Sequence, residues 1–262
     1  MSWITQTLSS SIGKKLVMAL TGLFLSIFLV IHLLGNLQLF NEDGGLSFNT
    51  YAVMMTTNPL IKTVSYGLYF FIILHAVQGI GLALRNRKAR GIAYRKFDNQ
   101  SSWASRNMAI LGTVLLVYIA VHMNDFWFQY KFGYLPYTEY KVELATNTVL
   151  ETNSMPTDFV LSGKMTEQIS EDGTTKTVVV KNLYAEVQEA FTNIWLVLFY
   201  VVAMAAVSFH LLHGFKSAFQ TLGMNHVKYN GLIHFLGVWV FAILIPLAFA
   251  AMPIYFYLTS QN

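Results

Sequence analysis

Five long apolar stretches, at 16–40, 61–84, 107–128, 194–215 and 232–258, constrain this chain more than any other feature. About 20 predominantly apolar residues suffice to carry a helix through the hydrocarbon core of a bilayer. In lipid every backbone N–H and C=O must find its partner inside the protein, so such stretches fold as helices rather than open strands. The expected fold is an all-α integral membrane protein with five transmembrane helices, forming a single membrane-anchor domain over 1–262. Lys14 and Lys15 ahead of the first stretch imitate a signal peptide, but the apolar run is too long and no small-residue cleavage site follows. It reads as the first span. Charged residues make up 11% of the chain, far below the roughly one quarter usual in soluble domains. No nucleic-acid partner is expected.

Basic residues set the orientation. Lys14, Lys15, Arg85, Arg87, Lys88, Arg90, Arg95, Lys96, Arg106, Lys216 and Lys228 fall on one side of the spans. Lys62, Lys131, Lys141, Lys164, Lys176 and Lys181 fall on the other, most of them in one long connection far from a span end. Positive charge close to span ends marks the cytoplasmic side, so the N-terminus is expected inside and the C-terminus outside. The cluster from Arg85 to Lys96 reads first as this topology signal and as an anchor on membrane lipids.

Between the spans, 41–59 reads as a polar loop turning at Gly44 and Gly45. The segment 129–192 reads as a polar outer insertion between the third and fourth helices, too small and polar for a core of its own. Within it, Glu171-Asp172-Gly173 is a turn signal and Thr174 to Val180 is β-branched, so 162–181 reads as a hairpin. Pro246 and Pro253 lie in the fifth span, which has no interior histidine and reads as a peripheral support.

Each of the first four apolar stretches carries a histidine in its interior: His32, His75, His122 and His210. Ionisable side chains are costly in hydrocarbon, and there they mark functional sites by default. Helical rise places His32 roughly 27 Å from Lys14 and His122 roughly 24 Å from Arg106, whereas His75 lies roughly 15 Å from Arg85 and His210 roughly 9 Å from Lys216. The four therefore divide into an outer pair, His32 with His122, and an inner pair, His75 with His210. A bundle of four helices can hold cofactors between facing side chains, and two imidazole pairs at two depths suit axial ligation of two b-type haems. The absence of cysteine rules out thiolate-bound iron–sulfur clusters and covalent attachment of c-type haem. One tetrahedral zinc would need its ligands at one depth, and a proton-relay transporter would be expected to carry buried carboxylates.

The flanks favour haem. His75-Ala-Val-Gln-Gly79 and His210-Leu-Leu-His-Gly214 share a His-x-x-x-Gly pattern, and Gly35 follows His32. Glycine at i+3 or i+4 shares the helix face of the ligand, leaving room for a macrocycle edge at Gly35, Gly79 and Gly214. The plainer reading is close helix approach. His213 lies one turn from His210 and competes with it; the pattern favours His210, leaving His213 for a haem propionate or a lipid headgroup. His226 and His234 read as ordinary interfacial residues.

The order of one histidine in each of the first four of five spans resembles the cytochrome b subunit of succinate:quinone oxidoreductases, in its di-haem, single-polypeptide anchor form. The matching stretches are Ser10-Ser11-Ile12-Gly13-Lys14-Lys15, His32-Leu33-Leu34-Gly35-Asn36, His75 to Gly81, and His210 to Gly223. The resemblance covers all five spans but not the insertion 129–192. It implies a first-four-helix bundle around two haem b groups, His75 and His210 on the haem nearer the cytoplasm, and His32 and His122 on the other. It also implies a flavoprotein subunit and an iron–sulfur subunit of succinate dehydrogenase as partners, menaquinone as the quinone substrate, and a bacterial cytoplasmic membrane. A haem b anchor of a hydrogenase or formate dehydrogenase, or a fumarate reductase running in reverse, follows the same plan.

Quinone chemistry exchanges protons, so its site wants a titratable group. Asp125, one turn beyond His122, is the candidate, with Asn124, Trp127, Asn36 and Gln38 at similar depth. It reads equally well as a water-exposed carboxylate at a helix end. Related fumarate reductases carry a glutamate two residues before the fourth ligand; here that position is Ser208.

Overall fold

A computed structural model of the chain describes residues 2–90 and 102–261, so Arg95 and Lys96 of the basic cluster lie outside the described residues. The chain is mostly helical. Among the described residues five helices are long and apolar enough to cross a membrane: Ser11–Phe40, Pro59–Ala89, Met108–Phe132, Ile194–Thr221 and Val227–Ser260. They are compatible with a multi-pass membrane protein. Their outward faces are apolar: Ile27, Phe70, Ile73, Val117 and Val202 are all exposed. In water such faces would be costly, and in hydrocarbon they are the ordinary surface.

The helices run past the apolar stretches that announce them. The second continues through Arg85, Arg87 and Lys88 because these residues favour helix and can extend their charged ends away from apolar surroundings. Trp3–Ser9 forms a short helix of its own ahead of the first span.

The residues cluster into two compact units. One comprises Met1–Ile31, Ser65–Ile119 and Leu198–Ala251. Aromatic contacts hold its helices together, including Phe24 with Phe71 at 4.9 Å, Tyr118 with Tyr200 at 5.0 Å and Phe215 stacked on Phe241 at 4.6 Å. The fifth span changes pitch in this unit, with a π-helical stretch at Leu236–Leu244. Ala242 lies within that stretch, and the Ser208 hydroxyl of the fourth span donates to its carbonyl. Ser208 thus does structural work where the resemblance points to a proton-conducting glutamate.

The other unit comprises His32–Val64, Ala120–Val197 and Met252–Asn262. Here the structure corrects the all-α expectation. The insertion 129–192 contains a four-stranded antiparallel sheet: β1 (Tyr137–Glu143), β2 (Val149–Ser154), β3 (Met165–Ile169) and β4 (Thr175–Lys181), in the order β2-β1-β4-β3. The expected hairpin is β3–β4, with Gly173 at φ 67° in its turn. Asp172 braces that turn by accepting from Thr174 N–H at 3.1 Å and from the Ser170 and Thr174 hydroxyls, bonds that hold its carboxyl down at about 2.

The sheet also has the core that the sequence reading denied it. Tyr140, Val142, Val178 and Val180 are buried together with Val53. Val53 comes from the helix Leu46–Thr57, which occupies most of the supposed loop 41–59. Asp43 starts that helix, its carboxylate accepting from Gly45 N–H at 3.0 Å and Ser47 N–H at 2.9 Å. The fully buried Asn49 then ties the pieces together. Its amide donates to Asn182 Oδ1 at 3.0 Å and to the Tyr140 hydroxyl at 3.2 Å, and its oxygen accepts from Tyr184 N–H at 2.9 Å. Asn182 in turn caps the helix Leu183–Ala190 through Ala185 N–H.

Candidate functional site

In the first unit the rings of His75 and His210 meet with centroids 6.2 Å apart and planes at 64°. In the second unit His32 meets His122 at 5.7 Å and 87°. All four side chains are half-buried. A metal–nitrogen bond of about 2 Å, plus the roughly 1.1 Å from nitrogen to ring centre, puts two trans imidazoles about 6 Å apart between centroids. The two observed separations lie close to that value. Among the described residues no three His, Cys, Asp or Glu side chains gather as a metal-ion site.

The inner pair is supported on one side only. Thr21 and Gly22 of the first span lie against His75. The Thr21 hydroxyl is 2.9 Å from His75 Nδ1, and a Cβ at Gly22 would stand 3.3 Å from His75 Cε1. Among the described residues His210 Nδ1 is buried with no hydrogen-bond partner. It is His210, not His213, whose ring faces His75; His213 lies one turn further along the same helix and is half-buried.

The glycines differ from one another. A Cβ at Gly214 would meet nothing within 4 Å, leaving the open helix face the sequence suggests. A Cβ at Gly79 would lie 3.5 Å from Met18, an ordinary contact. Gly35 has another purpose: a Cβ there would clash with the ring of Tyr51, so its space is already filled by tyrosine.

Beyond His122 the third span becomes π-helical over Met123–Phe128, a form that recurs at functional sites and has no signature in the sequence. Phe126 packs against His122 at 5.5 Å, and Phe191 packs against Phe126 at 5.8 Å. Asp125 sits in the widened turn. Asn124 donates to its Oδ1 at 3.3 Å, while Oδ2 is buried with no hydrogen-bond partner. The carboxylate is therefore not simply a water-exposed helix end. A second carboxylate whose charge acts in this region, with no motif in the sequence to mark it, is Glu186 of the helix Leu183–Ala190. Burial first, and then the charges of Glu189 and Asp125, raise the Glu186 carboxyl above its usual value. Asn36 turns back on its own helix, donating to the His32 carbonyl at 2.7 Å, with His32 Nδ1 at 3.4 Å. His226 begins the helix Val227–Phe235 by accepting from Lys228 N–H at 3.2 Å. A scan against protein-family models, a search of the curated proteins and a search of the solved structures each found no match for this chain.

Proposed function

We propose that this chain is the membrane anchor of a succinate:quinone oxidoreductase, a di-haem cytochrome b that carries electrons from an iron–sulfur partner subunit to menaquinone. The observation that carries this reading is the spacing of the two imidazole pairs, 6.2 and 5.7 Å between ring centroids, each drawn from two different spans. His75 and His210 would hold one haem b and His32 and His122 the other, within a bundle of the first four spans. Bound there, a b-type haem supplies one-electron transfer at a potential set by its ligands and their hydrogen bonds. The apolar helices keep water away from the imidazoles, and Gly214 leaves its helix face clear. Asp125 and Glu186 would exchange protons with the quinone at the end of the third span.

The basic residues near span ends support a cytoplasmic N-terminus; the resemblance implies a bacterial cytoplasmic membrane, with the partner flavoprotein and iron–sulfur subunits on that side. Oxidation of the dicarboxylate belongs to those subunits. Isolation of the chain from its native membrane tests the reading: a haem b spectrum and co-purifying flavin and iron–sulfur polypeptides are expected. A colourless chain would overturn the haem assignment. A coloured chain with other partners would overturn the succinate assignment alone.

A further inference from the structure

We infer that Thr21 is a positioning residue that fixes the protonation and rotation of the His75 ring; as a statement about haem, this rests on the function proposed above. Thr21 is almost wholly buried, 3% exposed, and its hydroxyl has a single proton. That proton has acceptors on its own helix, the carbonyls of Val17 at 2.8 Å and Met18 at 3.2 Å. With the proton spent there, Oγ1 presents a lone pair to His75 Nδ1 at 2.9 Å, so Nδ1 carries hydrogen and donates it. Nε2 is then left with its lone pair, the form in which imidazole binds a metal.

The adjoining residue completes the seat. At Gly22 the absence of a side chain lets the His75 ring lie against the helix, since a Cβ there would stand 3.3 Å from Cε1. The Thr21-Gly22 pair therefore sets both which nitrogen of His75 is free and how the ring is turned. Ligating histidines are commonly oriented in this way through their second nitrogen, and a hydrogen-bond acceptor there makes the ring a stronger donor to the metal. Among the described residues His210 Nδ1 has no such partner, so within this pair the hydrogen-bonded Nδ1 is that of His75.

The test uses the full chain in bilayers, isotopically labelled at histidine, as wild type, Thr21→Val and Thr21→Ser. Valine keeps the shape of threonine and removes the hydroxyl; serine keeps the hydroxyl. Nitrogen NMR of the reduced protein, assigned with His75→Gln, should show a hydrogen-bonded Nδ1–H for His75 in the wild type. That signature should be lost in Thr21→Val and restored in Thr21→Ser. Redox titration should show one haem potential moving upward in Thr21→Val, because a less electron-rich imidazole favours reduced iron, and returning in Thr21→Ser. If Thr21→Val fails to accumulate, Thr21→Ala against Thr21→Ser gives the same comparison. An unchanged His75 resonance in the valine or alanine variant would overturn the inference. A wild type without haem would overturn the proposed function, while the resonance would still decide the role of Thr21.

Discussion

His75 and His210 meet from the second and fourth spans with ring centroids 6.2 Å apart and planes at 64°; on the function proposed above they share one haem iron. His213 lies on the same helix as His210 but one turn away. His210→Ala should therefore remove one haem of two and halve the haem absorbance per chain. His213→Ala should leave both haems in place. Haem quantified against protein in the purified variants checks this, and the opposite outcome would make His213 the ligand.

Burial first, then the charges of Glu189 and Asp125, raise the Glu186 carboxyl above its usual value. General acid–base groups contribute on the order of a hundredfold or more. Asp125→Asn and Glu186→Gln should each lower quinone reduction at least tenfold while haem content stays unchanged. A dye-linked succinate assay, which bypasses the quinone, should remain normal. Normal quinone turnover in both variants would leave these residues a structural role only.

Ser208 donates to the Ala242 carbonyl in the π-helical stretch of the fifth span. Ser208→Ala removes that donor and should destabilise the contact between the fourth and fifth spans by about 1 kcal/mol. Thermal unfolding in detergent should fall by a few degrees, and Ser208→Thr should restore it. Equal stability in the alanine variant would show that the carbonyl is satisfied elsewhere.

Much of this architecture can be read from residue order, and the reasons for the rest are physical. The spans are legible because hydrocarbon demands unbroken apolar runs, and the meeting of His75 with His210 follows from counting 1.5 Å per residue along each helix. The β3–β4 hairpin was legible from its turn, but the four-stranded sheet was not, because it borrows its core. Val53 lies far from Tyr140 and Val178 in sequence, and β1 alone shows only short alternation of Tyr and Val with charged residues. Thr21 and Glu186 escaped for a related reason: each matters through a residue on another helix. No local pattern announces the π-helical turn that carries Asp125.

Lys164 gives a pH-dependent readout outside the spans. Its amine donates to Thr56 Oγ1 at 2.9 Å and lies 4.3 Å from the centre of the Tyr130 ring. Burial first, then the charges of Lys181, Lys62 and Lys131, lower it from an ordinary 10.5 to about 8. Between those values the unfolded chain binds more protons than the folded one, so this group's contribution favours folding increasingly as pH rises from 8 toward 10.5. Below 8 the ammonium form is retained and its penalty is present in full. Competitive amine labelling read by mass spectrometry should show Lys164 titrating near pH 8. Titration at the ordinary 10.5 would contradict its half-buried placement.

The most direct test of the central claim is the haem-to-chain ratio of the intact complex isolated from its native membrane, with the spin state read by electron paramagnetic resonance. Two non-covalent b-type haems per chain, both low-spin as paired imidazoles require, is the expected result. A ratio of one or none, or a high-spin centre in the intact complex, would contradict the assignment of His32 with His122 and His75 with His210 as two ligand pairs.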